Sequence, residues 1–186
     1  GSQLILVLCG SQVTTMAAIM QHQSPLFGRF TGQWHLQPLP FASLREFFPT
    51  WSAEERVALY AIVGGVPAYL RWLDSDLTLV ENIRQVILEP GAIFLAEPEL
   101  LLHDELRDLS TYQAILRAIS KGHHTLKAIS DDCLMGSSGL TFHLGKLQEL
   151  NLVERRLPVA LTIAQQRVSK QGRYHLSDPF FRFYFR

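Results

Sequence analysis

The apolar positions of this chain change their spacing as it proceeds. Residues 4–9, Leu-Ile-Leu-Val-Leu-Cys, are an unbroken apolar run that stops at Gly10-Ser11. Such a run predicts a strand buried on both faces. A short helix over 13–21 is expected next, then a loop over 24–33 that holds one Pro and two Gly. Residues 34–39 alternate, which predicts a second strand stopped by Pro38 and Pro40. Helical spacing takes over at 41–48 and 53–63. Ser52, with Glu55 three residues on, opens the second of these as a capping box. Gly64-Gly65-Val66-Pro67 breaks that helix, and Pro67 suits the first position of another over 68–73. Further helices are expected over 79–88, stopped by Pro90-Gly91, and over 93–102 around Pro98.

The last third is more regular. Tyr112, Ile115, Leu116 and Ile119 fall at i, i+3, i+4 and i+7, one face of an amphipathic helix. A short helix over 125–131 and a turn through Met135-Gly136 follow. A third helix over 137–150 carries the stripe Leu140, Leu144, Leu147, Leu150. Strands are expected over 152–157 and 173–176, joined by a long polar loop. Asp178-Pro179 caps a terminal aromatic helix over 180–185. Helix, short helix, turn, helix and hairpin is the order of a winged helix-turn-helix.

Composition adds exclusions. The 186 residues are 47% hydrophobic and 18% charged, which excludes disorder and a disulfide-stapled miniprotein. No apolar run reaches the roughly 18 residues of a membrane-spanning helix, and the apolar start lacks the basic leader of a signal peptide. Cys9 and Cys133 read as free thiols of a reducing cytosol, so a cytoplasmic location is expected. The formal net charge is zero but unevenly spread. Residues 1–109 hold 6 Lys/Arg against 12 Asp/Glu, and residues 110–186 hold 11 against 5, so −6 faces +6. The split points to two modules, the second with an acidic partner. The chain opens Gly1-Ser2 and enters an apolar strand at once, which reads as a start inside a larger domain.

Several segments, in this order, carry a resemblance. They are LILVLCGSQ at 4–12, SPLFGRFTGQ at 24–33, LQPLPF at 36–41, VGGVPAYL at 63–70, ENIRQVILEPGAIFLAEPELLLHDELRD at 81–108 and RYHLSDPFFRFYFR at 173–186. The chain resembles the prokaryotic archaeal-type ATPases of the STAND branch of AAA-like P-loop NTPases. The resemblance implies a mainly α fold with a small β part. Residues 1–41 would be the C-terminal remnant of the nucleotide-binding domain, with a sensor-1-like strand, residues 42–108 a helical lid, and residues 109–186 the winged helix-turn-helix domain. It also implies ATP and Mg in a full-length parent whose nucleotide state is coupled to the winged helix. The chain itself has no Gly-x-x-x-x-Gly-Lys-Ser/Thr loop and no strand ending in an acidic pair, so no ATP hydrolysis is expected of it. The rival functions are a winged-helix DNA-binding regulator and a protein-interaction scaffold.

The resemblance marks nucleotide-proximal candidates. Ser11 would occupy the sensor-1-like position, and is equally explained as a turn residue bonding local backbone. Arg29, on a Gly-rich loop, suits bidentate phosphate contact or a plain surface pair. Gly64, Gly65 and Pro67 match a turn laid against nucleotide, and serve equally as punctuation between helices. The seven His form no metal-binding set and read as structural or surface residues. On the third helix the stripe leaves Ser138, Thr141, Phe142, Gly145, Lys146 and Glu149 outward, few of them base readers. The positive charge sits on the hairpin, in Arg155, Arg156, Arg167, Lys170 and Arg173. The candidates for DNA or partner contact are these five with Thr141 and Lys146. The expected partner is DNA, held weakly and without sequence preference, or the protein's own acidic lid, which would mask DNA binding in the whole chain. No membrane partner is expected.

Overall fold

A computed structural model describes residues 5–10, 13–106 and 108–186. Among them the chain is mainly helical, with one two-stranded antiparallel sheet. After α1 (Val13–Ile19), residues 20–40 are irregular, and a single 3-10 turn, Phe41–Ser43, runs into α2 (Leu44–Phe47). Helices α3 (Ala53–Val63), α4 (Pro67–Trp72) and α5 (Leu79–Asn82) follow. The Ser52–Glu55 capping box is formed reciprocally, Glu55 N–H donating to Ser52 Oγ at 3.1 Å and Ser52 N–H to Glu55 Oε2 at 2.8 Å. Thr78 and Glu81 build the same box at α5. Pro67 stands at the start of α4 as its missing N–H allows.

The expected helix over 79–88 is α5 prolonged by one wider π turn, Ile83–Ile87. The expected helix over 93–102 is longer: α6 (Ile93–Glu105) runs straight through Pro98. Pro98 removes one backbone bond to Phe94 O, but its ring is buried in line with Phe94 and Leu102, and that burial offsets the loss.

Helix α7 (Leu109–Ser120), capped by Asp108, α8 (Leu126–Cys133), capped by Thr125, and α9 (Ser137–Glu149) come next. Strands β1 (Val153–Arg156) and β2 (Arg173–Leu176) pair in the register Val153↔Leu176, Glu154↔His175, Arg155↔Tyr174, Arg156↔Arg173. The expected polar loop between them contains a helix, α10 (Ile163–Val168), set by a Thr162–Gln165 capping box. Asp178 caps α11 (Pro179–Tyr184).

Two hydrophobic cores result. The first gathers Leu44, Phe48, Leu59, Val63, Tyr69, Leu70, Ile87 and Phe94 from α2 to α6. The second gathers Ile115, Leu116 and Ile119 of α7, Ile129 of α8, Leu140, Leu144 and Leu147 of α9, and Val153 and Leu176 of the hairpin. The two interlock at both ends. Leu102 and Leu106, at the end of α6, lie in the second core, while α11 sends Phe180 into the first and Phe181 into the second.

Two expected strands do not form. Residues 5–10 have no regular structure, and Ile5 is 90% exposed. A strand buried on both faces needs neighbours to take its N–H and C=O groups. The only sheet among the described residues is the β1–β2 hairpin. Residues 34–39 likewise lack a partner strand. Trp34 is 84% exposed, and Leu39 alone makes a sheet-like bond, donating N–H to Gly65 O at 2.7 Å. Among the described residues no helix is long and apolar enough to cross a membrane.

Candidate functional site

The Gly64-Gly65 turn is buried and filled from both sides by the chain itself. Gly64 has φ +67°, a conformation that favours glycine, and a Cβ there would sit 3.3 Å from the Pro179 ring. At Gly65 a Cβ would lie 1.9 Å from Leu39 O, so the open face of this residue is taken by backbone. Tyr60 OH donates to the same Leu39 carbonyl at 3.1 Å, fixing the segment in place. The two glycines therefore let the 36–40 segment and α11 close onto the end of α3. Pro67, exposed at the head of α4, is the part of the motif left open. Among the described residues, the space beside Gly64 and Gly65 is taken by the Pro179 ring and the Leu39 carbonyl.

Arg29 is exposed at the end of the turn over 21–29, its N–H bonded to Leu26 O at 3.1 Å. Ser11 lies outside the described residues, as does the side chain of Arg167. Among the described residues, no group of three or more His, Cys, Asp or Glu is placed to hold a metal ion.

The hairpin sorts its cations by register. Residues that pair across the two strands share a face, so Arg155 and Tyr174 lie with the buried Val153 and Leu176, and Glu154, Arg156, Arg173 and His175 lie on the opposite face. Arg155 is half-buried, and its guanidinium donates to Ser169 O. Its Nε is buried without a hydrogen-bond partner among the described residues, over Gly172, where a Cβ would come within 2.2 Å. Arg155 is thus a clasp holding the 169–172 loop against the hairpin. Arg156 is exposed and bonded to Glu154 Oε1, through Nε at 2.8 Å and through Nη2. Lys170 and Arg173 are exposed.

On α9, Thr141 is exposed and turns its hydroxyl back to Ser137 O at 2.8 Å. Lys146 pairs with Glu149 at 3.4 Å. Phe142, 70% exposed, is the largest side chain on that face.

The structure also assembles a group that the sequence pattern did not single out. Lys121 at the end of α7, His124 in the next loop, Arg156 and His175 on the hairpin, and Arg182 on α11 line one open cavity of about 350 Å³. Tyr174 donates its N–H to His124 O at 2.8 Å, and His124 Nδ1 lies 2.8 Å from Tyr174 O. A carbonyl can only accept, so His124 Nδ1 carries the proton. The His124 and His175 rings stack, centroids 4.2 Å apart. Burial, then the neighbouring His124, Arg156 and Arg182, push His175 below its ordinary pKa, with Glu154 opposing. Arg182 is held by a bond from Nη2 to Leu176 O at 3.0 Å. These five residues lie up to 61 positions apart in the chain, and no local motif joins them.

Comparison with known proteins places the fold. No protein-family model matches the chain. It is 35% identical over 182 residues to the uncharacterized protein MJECL04 of Methanocaldococcus jannaschii, a match covering 97% of this chain and 40% of that protein. Among solved structures it superposes on the Walker-type ATPase PABY2304 of Pyrococcus abyssi with a TM-score of 0.63 and 17% identity, over 93% of this chain and 49% of that one. The chain therefore has the fold of part of an archaeal Walker-type ATPase, and spans less than half the length of either protein.

Proposed function

We propose that this chain is the C-terminal part of an ATP-binding STAND/AAA-like ATPase, in which a winged-helix module reads out the nucleotide state. The observation that carries this reading is the fold shared with an archaeal Walker-type ATPase over 93% of the chain. In it, residues 1–41 finish a nucleotide-binding domain, residues 42–108 are its lid and residues 109–186 are the effector. The exposed apolar run at 5–8 then has a purpose, as a strand completing a sheet supplied by the rest of a longer protein. ATP and Mg are held by residues of that longer protein, with Ser11, Arg29 and Pro67 brought near them, in the cytoplasm.

Nucleotide binding tests the proposal. The full-length protein should bind ATP with Mg, while this chain should bind no tighter than about millimolar, roughly −4 kcal/mol. Calorimetry on both decides. Tight ATP binding by the chain alone, or none by the full-length protein, overturns the reading.

A second reading, a protein-interaction scaffold, is favoured by one face. Phe142 is exposed on α9, and Lys146 beside it is paired with Glu149. That surface offers a partner protein an apolar anchor and offers DNA little to read.

A further inference from the structure

The cavity between the end of α7, the outer face of the hairpin and α11 collects positive charge without any local motif to explain it. Lys121, Arg156, Arg182 and Arg186 line it together with the stacked His124 and His175, and among the described residues no Asp or Glu side chain does. Ser120 Oγ lies 2.8 Å from both Arg117 O at the end of α7 and Phe185 O, its one proton shared between the two carbonyls. We propose that this cavity binds a small phosphate-bearing anion of two or more charges. The proposal is independent of the nucleotide reading above, because none of these residues belongs to the nucleotide-proximal set.

Three features support it. A volume of about 350 Å³ falls at the small end of ligand pockets. That volume suits a diphosphate. The guanidinium groups of Arg156 and Arg182 suit bidentate contact with phosphate oxygens. Two carboxylates at the edge already hold part of this charge, Asp132 on Lys121 at 3.4 Å and Glu154 on Arg156. Both are exposed pairs, weak enough for a multivalent anion to displace.

The stacked histidines also face the cavity. His124 is fixed with its proton on Nδ1, so a second proton on Nε2 makes it a cationic donor. Burial, the stacked His124 ring and the neighbouring guanidinium groups hold His175 neutral more readily than a free imidazole. An anion beside it offsets those cations, so binding takes up a proton on His175.

The experiment is calorimetry of the whole chain with inorganic pyrophosphate near pH 6.5, in two buffers of different ionisation enthalpy, with duplex DNA as competitor. Saturable binding with proton uptake is expected. Arg156→Gln and Lys121→Gln, both at exposed positions, should each weaken it about tenfold, and Lys127→Gln, outside the cavity, should not. DNA should not compete. Absence of saturable binding up to about 10 mM, equal losses from all three variants, or displacement of pyrophosphate by DNA overturns the proposal. The last result would assign the cations to a nucleic-acid backbone.

Discussion

Gly65 is the residue whose identity the fold constrains most sharply. Its Cα hydrogen faces the Leu39 carbonyl, and a methyl group there would drive the two backbones apart. The displacement would break the bond from Leu39 N–H to Gly65 O and the one from Tyr60 OH to Leu39 O. Gly65→Ala should therefore cost at least about 2 kcal/mol, read as the shift in urea midpoint. Gly145 is the contrast, because nothing lies within 4 Å of its added Cβ in mid-α9. Gly145→Ala should stabilise by about 0.5–1 kcal/mol through helix propensity. Equal effects at the two positions would show that contact with Leu39 is not what selects Gly65.

His175 gives the residue scale a pH dependence. Its folded pKa lies below the ordinary value of 6.5, so the folded chain holds this proton less readily than the unfolded one. The stability that follows is present above pH 6.5 and is lost as pH falls through the folded pKa. The midpoint of denaturation should drop below pH 6.5, and His175→Gln should flatten that drop. An unchanged profile in the variant would place the titration elsewhere. Asn82, by contrast, was invisible in the sequence. It is fully buried, accepts from Asp74 N–H at 2.8 Å and donates to Asp74 O at 2.8 Å, stitching the 74–78 turn to α5. Nothing local separates such an Asn from a surface one.

Among the elements, α11 joins the two cores. Adjacent residues on one short helix point into different clusters, Phe180 against Tyr69 and Phe94, Phe181 among the residues of α7 and the hairpin. Phe181→Ala should cost about 3–5 kcal/mol, as large core truncations do. The two cores should respond as one. Tryptophan fluorescence of a Trp34→Phe variant, which leaves Trp51 and Trp72 by the first core, and helical circular dichroism should report the same lowered midpoint. A midpoint that moves by dichroism alone would make the cores independent. The caps of α3 and α11 were legible because a cap is a bond between near neighbours: Ser52 with Glu55, Asp178 with Phe181. The hairpin partner at Arg173–Leu176 was legible from its pattern. The role of α11 was not, because its two aromatic neighbours differ only in what the rest of the chain brings to each side. The run at 4–9 misled for a related reason. It has the composition of a buried strand, but a buried strand needs neighbours, and among the described residues none pairs with it.

At the scale of the whole molecule, the acidic first half and basic second half set what the surface attracts. The structure disposes of part of the positive charge internally, with Arg155 clasped to Ser169 O, Arg156 on Glu154 and Lys121 on Asp132. Lys170 and Arg173 remain exposed on and beside the hairpin. With part of its cations already paired, and next to a half carrying −6, this surface should hold a polyanion weakly. The whole chain should retain duplex DNA only at low salt and without sequence preference, since α9 presents Phe142 where a base reader needs a donor. The slope of log affinity against log salt should fall by about 0.9 for each phosphate contact removed, so Lys170→Gln and Arg173→Gln should each flatten it by that amount. Filter binding at low and moderate salt measures both. If the chain retains no DNA even at low salt, the exposed Phe142 face becomes the surface to explain, and a protein is the partner to look for.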